Sequence, residues 1–128
     1  MISFNEIRVG NLVLRNGGNI HKITPFNIAQ IQTGEFSAEA IPLTVDWLIA
    51  LGFTKEESDV NWTTDATYDL FGGPGIVVSF NHKTKKLAIY HIIYEDAYYN
   101  YHWPVIETVH RLQNYYFATI EKELIYKP

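Results

Sequence analysis

Hydrophobic and polar positions alternate near the start of the chain and settle into a helical period at its end. In NLVLRNGGNIHKIT, Leu12 and Leu14 alternate with Val13 and Arg15, and Ile20 and Ile23 resume an apolar run after Asn16-Gly17-Gly18-Asn19. Asn and Gly accept the positive φ angles of a tight hairpin turn, so two strands are predicted there. Pro25 has no N–H to give a ladder and breaks it; FNIAQIQ reads as a further strand ending at Thr33-Gly34. IPLTVDWLIALGF predicts a two-turn helix. Thr44 is a natural N-cap, Asp46 lies in the first turn, Trp47, Leu48 and Leu51 recur at helical spacing, and Gly52 suits the position after the helix.

The acidic stretch KEESDVNWTTDATYD predicts strands around Val60–Thr63 and Thr67–Phe71, followed by a GGPG loop at 72–75 and the strand IVVSF. KLAIYHIIY is the longest apolar strand. Ala88, Tyr90, Ile92 and Tyr94 share one face and Leu87, Ile89, His91 and Ile93 the other, which marks a strand interior to its sheet. NHKTKK forms the tip between these two strands. In ETVHRLQNYYFATIEKEL, Val109, Leu112, Tyr116, Ile120 and Leu124 recur three or four apart, which predicts a C-terminal helix. The expected fold is one α+β domain over residues 1–128: a bent antiparallel sheet, a short middle helix and a longer C-terminal helix. The N-terminal strands are SH3-like by analogy of fold, and residues 1–40 are where a β subdomain would be cut.

Composition narrows the function classes. The chain has 128 residues, 47% of them hydrophobic and 19% charged, which suits a globular domain able to bury a core. The formal net charge is −4, but residues 35–80 set Lys55 alone against eight acids, a local net of −7. Such a belt repels phosphate backbones, so nucleic acid is disfavoured as a partner. There is no cysteine, which removes disulfides, thiolate metal sites and cysteine nucleophiles. MISFNEIRVG lacks the pattern of a secretory signal, and no window reaches the roughly 18 apolar residues of a spanning helix, so a cytoplasmic protein with no membrane partner is expected.

IRVGNLVL near the start, IPLTVDWLIALGF in the middle and VHRLQNYYFATIEKEL at the end occur in this order. Together they resemble a recurring family of small uncharacterised proteins from Bacteroidota, their phages and mobile elements. The resemblance implies a shared fold and a mobile-element origin; it implies no activity, cofactor or site residue. Relatives often carry Gly near the position of Ile120, where a helix can stop. Ile120 here leads to the expectation that the last helix runs on to about Leu124.

Motifs with catalytic chemistry are scarce. GGPGIVVSF opens a strand with no Lys beyond it, whereas a phosphate loop opens a helix. His91, Glu95, Asp96, His102 and Glu107 are the only pool for a metal, without an HxH or HExxH pair, so neither metal nor cofactor is predicted. His110, at the first turn of the last helix, is expected to pack or hydrogen-bond there. Ser3, Ser37, Ser58 and Ser79 lie in no nucleophile elbow, and Asp65 with Asp69 reads as solvated charge. No catalytic residue is assigned; a small-molecule enzyme without a recognisable motif is the third-ranked reading.

Two surfaces remain. YEDAYYNYHWP, residues 94–104, holds five aromatic side chains in eleven positions. Tyr90 and Tyr94 read as structural. Tyr98, Tyr99, Tyr101, His102 and Trp103 form the candidate partner surface, since aromatic side chains with a polar handle favour binding hot spots. The leading expectation is a non-catalytic module that binds a protein partner or a second copy of itself. The alternative is a nucleic-acid accessory protein that uses the N-terminal strands and the HKTKK tip, with Lys83, Lys85 and Lys86 on phosphate and Arg8, Arg15 and Lys22 assisting.

Overall fold

The computed structural model describes residues 2–16, 18–55, 68–73, 76–81, 83–84, 86–92 and 99–128. The fold is α+β with antiparallel sheets, a short middle helix and a longer C-terminal helix. Two compact units divide the chain: Met1–Pro42 with Thr108–Glu123, and Leu43–Glu107 with Leu124–Pro128.

The first unit opens with a single 3₁₀ turn, Phe4–Glu6, and then a hairpin of β1 (Leu12–Arg15) and β2 (Asn19–Lys22). Arg15 pairs with Asn19, which leaves a three-residue turn that Asn16 enters at φ 49° and that Gly18 closes through its N–H to the Arg15 carbonyl at 2.9 Å. The predicted strand FNIAQIQ is instead helix α1 (Pro25–Thr33). Thr24 and Asn27 form a reciprocal capping box, Pro25 takes the first helical position where its missing N–H is no loss, and Gly34 ends the helix in the left-handed region. The alternation of Phe26 and Ile28 misled the strand reading: Phe26 is 70% exposed, whereas Ile28 and Ile31, three apart, pack on the core. The third strand is β3 (Ala38–Glu39), so the sheet runs β2-β1-β3. Ile2, Val13, Ile23, Phe36 and Ala38 make its buried cluster.

Helix α3 (Val109–Ile120) completes this unit, burying Val109, Leu112 and Tyr116 at the predicted spacing. It does not run on to Leu124. Glu121 turns into the left-handed region at φ 63° and its N–H closes on the Phe117 carbonyl at 2.9 Å. Stopping a helix there without glycine costs about 1 kcal/mol of backbone strain.

The second unit contains α2 (Val45–Ala50), β4 (Thr54–Lys55), β5 (Tyr68–Gly73), β6 (Ile76–Asn81), β7 (Lys86–Ile92) and β8 (Tyr99–Ile106). Helix α2 follows its sequence signals. The Trp47 N–H donates to Thr44 Oγ1 at 3.2 Å, Asp46 lies in the first turn, and Gly52 leaves the helix at φ 95°, a conformation that needs no Cβ. Five strands run in the order β4-β5-β6-β7-β8, so β7 is interior as its two apolar faces predicted. Ile76, Val78 and Phe80 bury one face of β6 at the two-residue period. Residues 124–128 dock on α2: Leu124 is buried, the Lys127 N–H reaches the Ala50 carbonyl at 2.7 Å, and the Tyr126 ring stacks on Trp47. The predicted strand at Val60–Thr63 lies outside the described residues. No described helix is long and apolar enough to cross a membrane.

Candidate functional site: a sheet edge and a polar clasp

Tyr99, Tyr101, His102 and Trp103 fall on β8, which among the described residues is an outer strand of the five-stranded sheet. Tyr98 lies outside the described residues. Among the described residues β8 pairs with β7 alone: Ile92 with Tyr99, His91 with Asn100, Tyr90 with Tyr101, and Ile89 with His102. The next pair is Leu87 with Ile106, so Trp103, Pro104 and Val105 stand opposite Ala88 alone. Pro104 explains where the irregularity sits, because a residue without an N–H is tolerated at a bulge or an outer strand and not in a regular ladder. The regular part of the edge is therefore Tyr99–His102.

The described part of β4 is Thr54–Lys55, and the residues that follow it lie outside the described ones. β8 spans eight residues, YNYHWPVI, without one Asp, Glu, Lys or Arg. A long, uncharged, aromatic edge strand offers backbone N–H and C=O groups to an added strand.

The lysine tip is less developed as a site. Asn81 Oδ1 accepts from the Lys83 and Thr84 N–H groups at 2.9 and 3.1 Å, an Asx-type turn that holds Lys83 outward and exposed. Lys86 begins β7 and Lys85 lies outside the described residues. Of the assisting bases, Lys22 is exposed, while Arg8 and Arg15 make contacts within the unit. The Arg8 guanidinium bonds both carboxylate oxygens of Glu123, with Nη2 to Oε2 at 3.2 Å, and lies 4.4 Å over the Phe117 ring. Arg15 lies 5.1 Å over Phe36.

Sequence reasoning missed a polar clasp in the first unit. It joins the turn Arg8-Val9-Gly10-Asn11 to α3. Gln113 is 3% exposed; its Oε1 accepts from the Leu12 N–H at 2.8 Å and its Nε2 donates to the Gly10 carbonyl at 3.2 Å. This side chain acts as a neighbouring strand would, completing the backbone at the start of β1. Asn114 uses its whole amide: Oδ1 accepts from Asn11 Nδ2 at 2.7 Å and Arg8 Nε at 3.1 Å, and Nδ2 donates to the Glu6 carbonyl at 2.9 Å. Asn11, fully buried, accepts the Arg8 N–H at 2.7 Å. Gly10 carries φ 94° within this turn, which a side chain would strain. The partners lie about a hundred positions apart in sequence, so no local pattern announces them.

Beside the clasp, His110 is 2% exposed, and its Nε2 lies 3.8 Å from Glu6 Oε2, too far for a hydrogen bond. Glu6 Oε1 accepts from Arg111 Nη2 at 2.7 Å. Burial holds the imidazole below the ordinary histidine range, against the pull of Glu6 and with a smaller push from Arg111 in the same direction as burial. His110 therefore packs as expected, but without the hydrogen bond. Among the described residues no group of three or more His, Asp or Glu is placed to hold a metal.

The chain matches no protein-family model, no curated protein and no solved structure.

Proposed function

We propose that the chain is a non-catalytic binding module that engages a protein partner, or a second copy of itself, by adding a strand to the β8 edge, with the segment from Tyr98 to Trp103 supplying recognition. The observation that supports this reading is the position of Tyr99–Trp103 on a strand without charged residues whose outer side pairs with no strand among the described residues. Strand addition draws affinity from main-chain hydrogen bonds and specificity from alternate side chains, so Tyr99–His102 is the length of edge that a partner would read. The nucleic-acid reading loses support at Arg8, which Glu123 holds, while Arg15 and Lys22 stay exposed. A mobile-element origin fits the resemblance of the three sequence blocks and adds no chemistry to it.

The test is sedimentation velocity across a concentration series, paired with a pull-down from host lysate treated with nuclease. Tyr101→Lys places a charge in mid-edge and should abolish self-association or partner capture while leaving the far-UV circular dichroism unchanged. Association that survives this substitution in a folded protein would remove the reading.

A further inference from the structure

Sequence and structure part at the end of α3. The apolar stripe of Val109, Leu112, Tyr116 and Ile120 continues to Leu124 without a break in spacing, and the intervening Glu121, Lys122 and Glu123 are good helix formers. The helix nevertheless stops at Ile120, with Glu121 at φ 63°. A non-glycine residue in the left-handed region stores strain, and such a disagreement between local signals and fold marks a functional or strained position.

The backbone hydrogen bonds on either side of this bend are unequal. Helix α2 is closed at its C-terminal end. The carbonyls of Trp47, Leu48 and Ile49 accept from the Leu51, Phe53 and Gly52 N–H groups at 2.9, 2.9 and 3.0 Å, and the Ala50 carbonyl accepts from Lys127 at 2.7 Å. Helix α3 is left open: among the described residues no backbone N–H reaches the carbonyls of Ala118, Thr119 or Ile120. Continuing α3 through Leu124 would bring the Lys122, Glu123 and Leu124 N–H groups to those carbonyls, while the Glu121 N–H keeps its bond to Phe117. A residue at φ 63° cannot continue a right-handed helix, and Leu124 cannot both extend the α3 stripe and keep its buried place in the second unit. The two arrangements exclude each other. The Arg8–Glu123 pair beside the bend is partly exposed and holds it only weakly.

We infer that residues 121–124 form a two-state hinge. In one state Glu121 bends and the strap Leu124–Lys127 lies on α2, with Tyr126 stacked on Trp47. In the other, α3 runs on through Leu124 and the strap is released, which uncovers the Trp47 ring and the Ala50 carbonyl. Release gives up the Lys127 bond, the ring stack and the burial of Leu124. It gains closure of the α3 carbonyls and relief of the backbone at Glu121.

The experiment is amide hydrogen exchange and Cα chemical shifts on the full chain as wild type, Glu121→Gly and Tyr126→Ala. Glycine fits the bend without strain and disfavours the helix, so Glu121→Gly should slow exchange of the Lys127 amide about tenfold. Tyr126→Ala removes the stack and should speed that exchange severalfold. The Cα shifts of residues 121–124 should then move toward helical values, a gain of helix from the loss of a contact outside it. Adding Glu121→Gly to Tyr126→Ala should cancel the helical shift. A strap that merely frays gives coil shifts instead. Shifts at 121–124 that do not become more helical in Tyr126→Ala, or Lys127 exchange unchanged in Glu121→Gly, overturn the hinge. Should Tyr126→Ala not fold, exchange in Glu121→Gly decides alone.

Discussion

Gln113 is the most direct place to ask whether the clasp holds the first unit together. Gln113→Ala removes the acceptor of the Leu12 N–H and the donor to the Gly10 carbonyl. The Leu12 N–H is buried, and stranding it costs about 1–3 kcal/mol. The Gly10 carbonyl is partly accessible to water and adds roughly 0–1 kcal/mol, and the lost packing of the buried methylenes adds about 1 kcal/mol. A total near 3 kcal/mol is a large share of the roughly 5–15 kcal/mol that stabilises a typical domain. In urea it lowers the midpoint by about 2 M. No tryptophan falls within the first unit, so the assay is far-UV circular dichroism together with exchange of the Leu12 amide. Gln32→Ala, exposed on α1, is the matched control and should change stability by less than about 0.5 kcal/mol. Gln113→Glu sharpens the test: an ionised carboxylate faces the Gly10 carbonyl, and protonation restores the donor. Its deficit should therefore shrink as pH falls from about 7 to about 4. If Gln113→Ala costs no more than Gln32→Ala, and Leu12 stays protected, the clasp does not hold the unit.

Two further substitutions test local features. Glu121→Gly relieves the left-handed residue that ends α3 and should stabilise the first unit by up to about 1 kcal/mol by thermal denaturation; a loss of stability would show that the Glu121 side chain matters more than its backbone. Asn27→Ala removes the side-chain acceptor of the Thr24 N–H and hydroxyl and the contact with His21, leaves the Asn27 N–H on Thr24 Oγ1, and should cost about 1 kcal/mol, with α1 fraying first in exchange measurements; unchanged protection of α1 would refute its role in the capping box.

The elements legible in the sequence were those whose determinants are local. Helix α2 was readable from Thr44, Asp46 and Gly52 because each acts on its own turn. Helix α3 was readable from the spacing of Val109, Leu112 and Tyr116, and β6 from Ile76, Val78 and Phe80. FNIAQIQ was misread because two periodicities overlap in seven residues. Phe26–Ile28 suggests a strand and Ile28–Ile31 a helix, and the capping box with Pro25 decides between them. The end of α3 was misplaced because a continuing apolar stripe does not require a continuing helix. Leu124 is buried all the same, but among residues of the second unit.

The clasp was illegible because its pairs are non-local, and that same fact bears on where function can lie. Arg8, Asn11, Gln113 and Asn114 are the kind of cluster that suggests a ligand site when seen as a list. In the fold their polar atoms satisfy one another and the backbone of β1, which leaves little for a ligand to claim without breaking the structure. A fully connected polar network specifies a fold more readily than it binds a partner. Among the described residues no strand pairs with the outer side of β8, and the ring of His110 has no hydrogen-bond partner. They belong to different units, so His110→Met should leave association through β8 intact. Loss of association in a His110→Met variant would mean that association reports nothing more than a loss of fold.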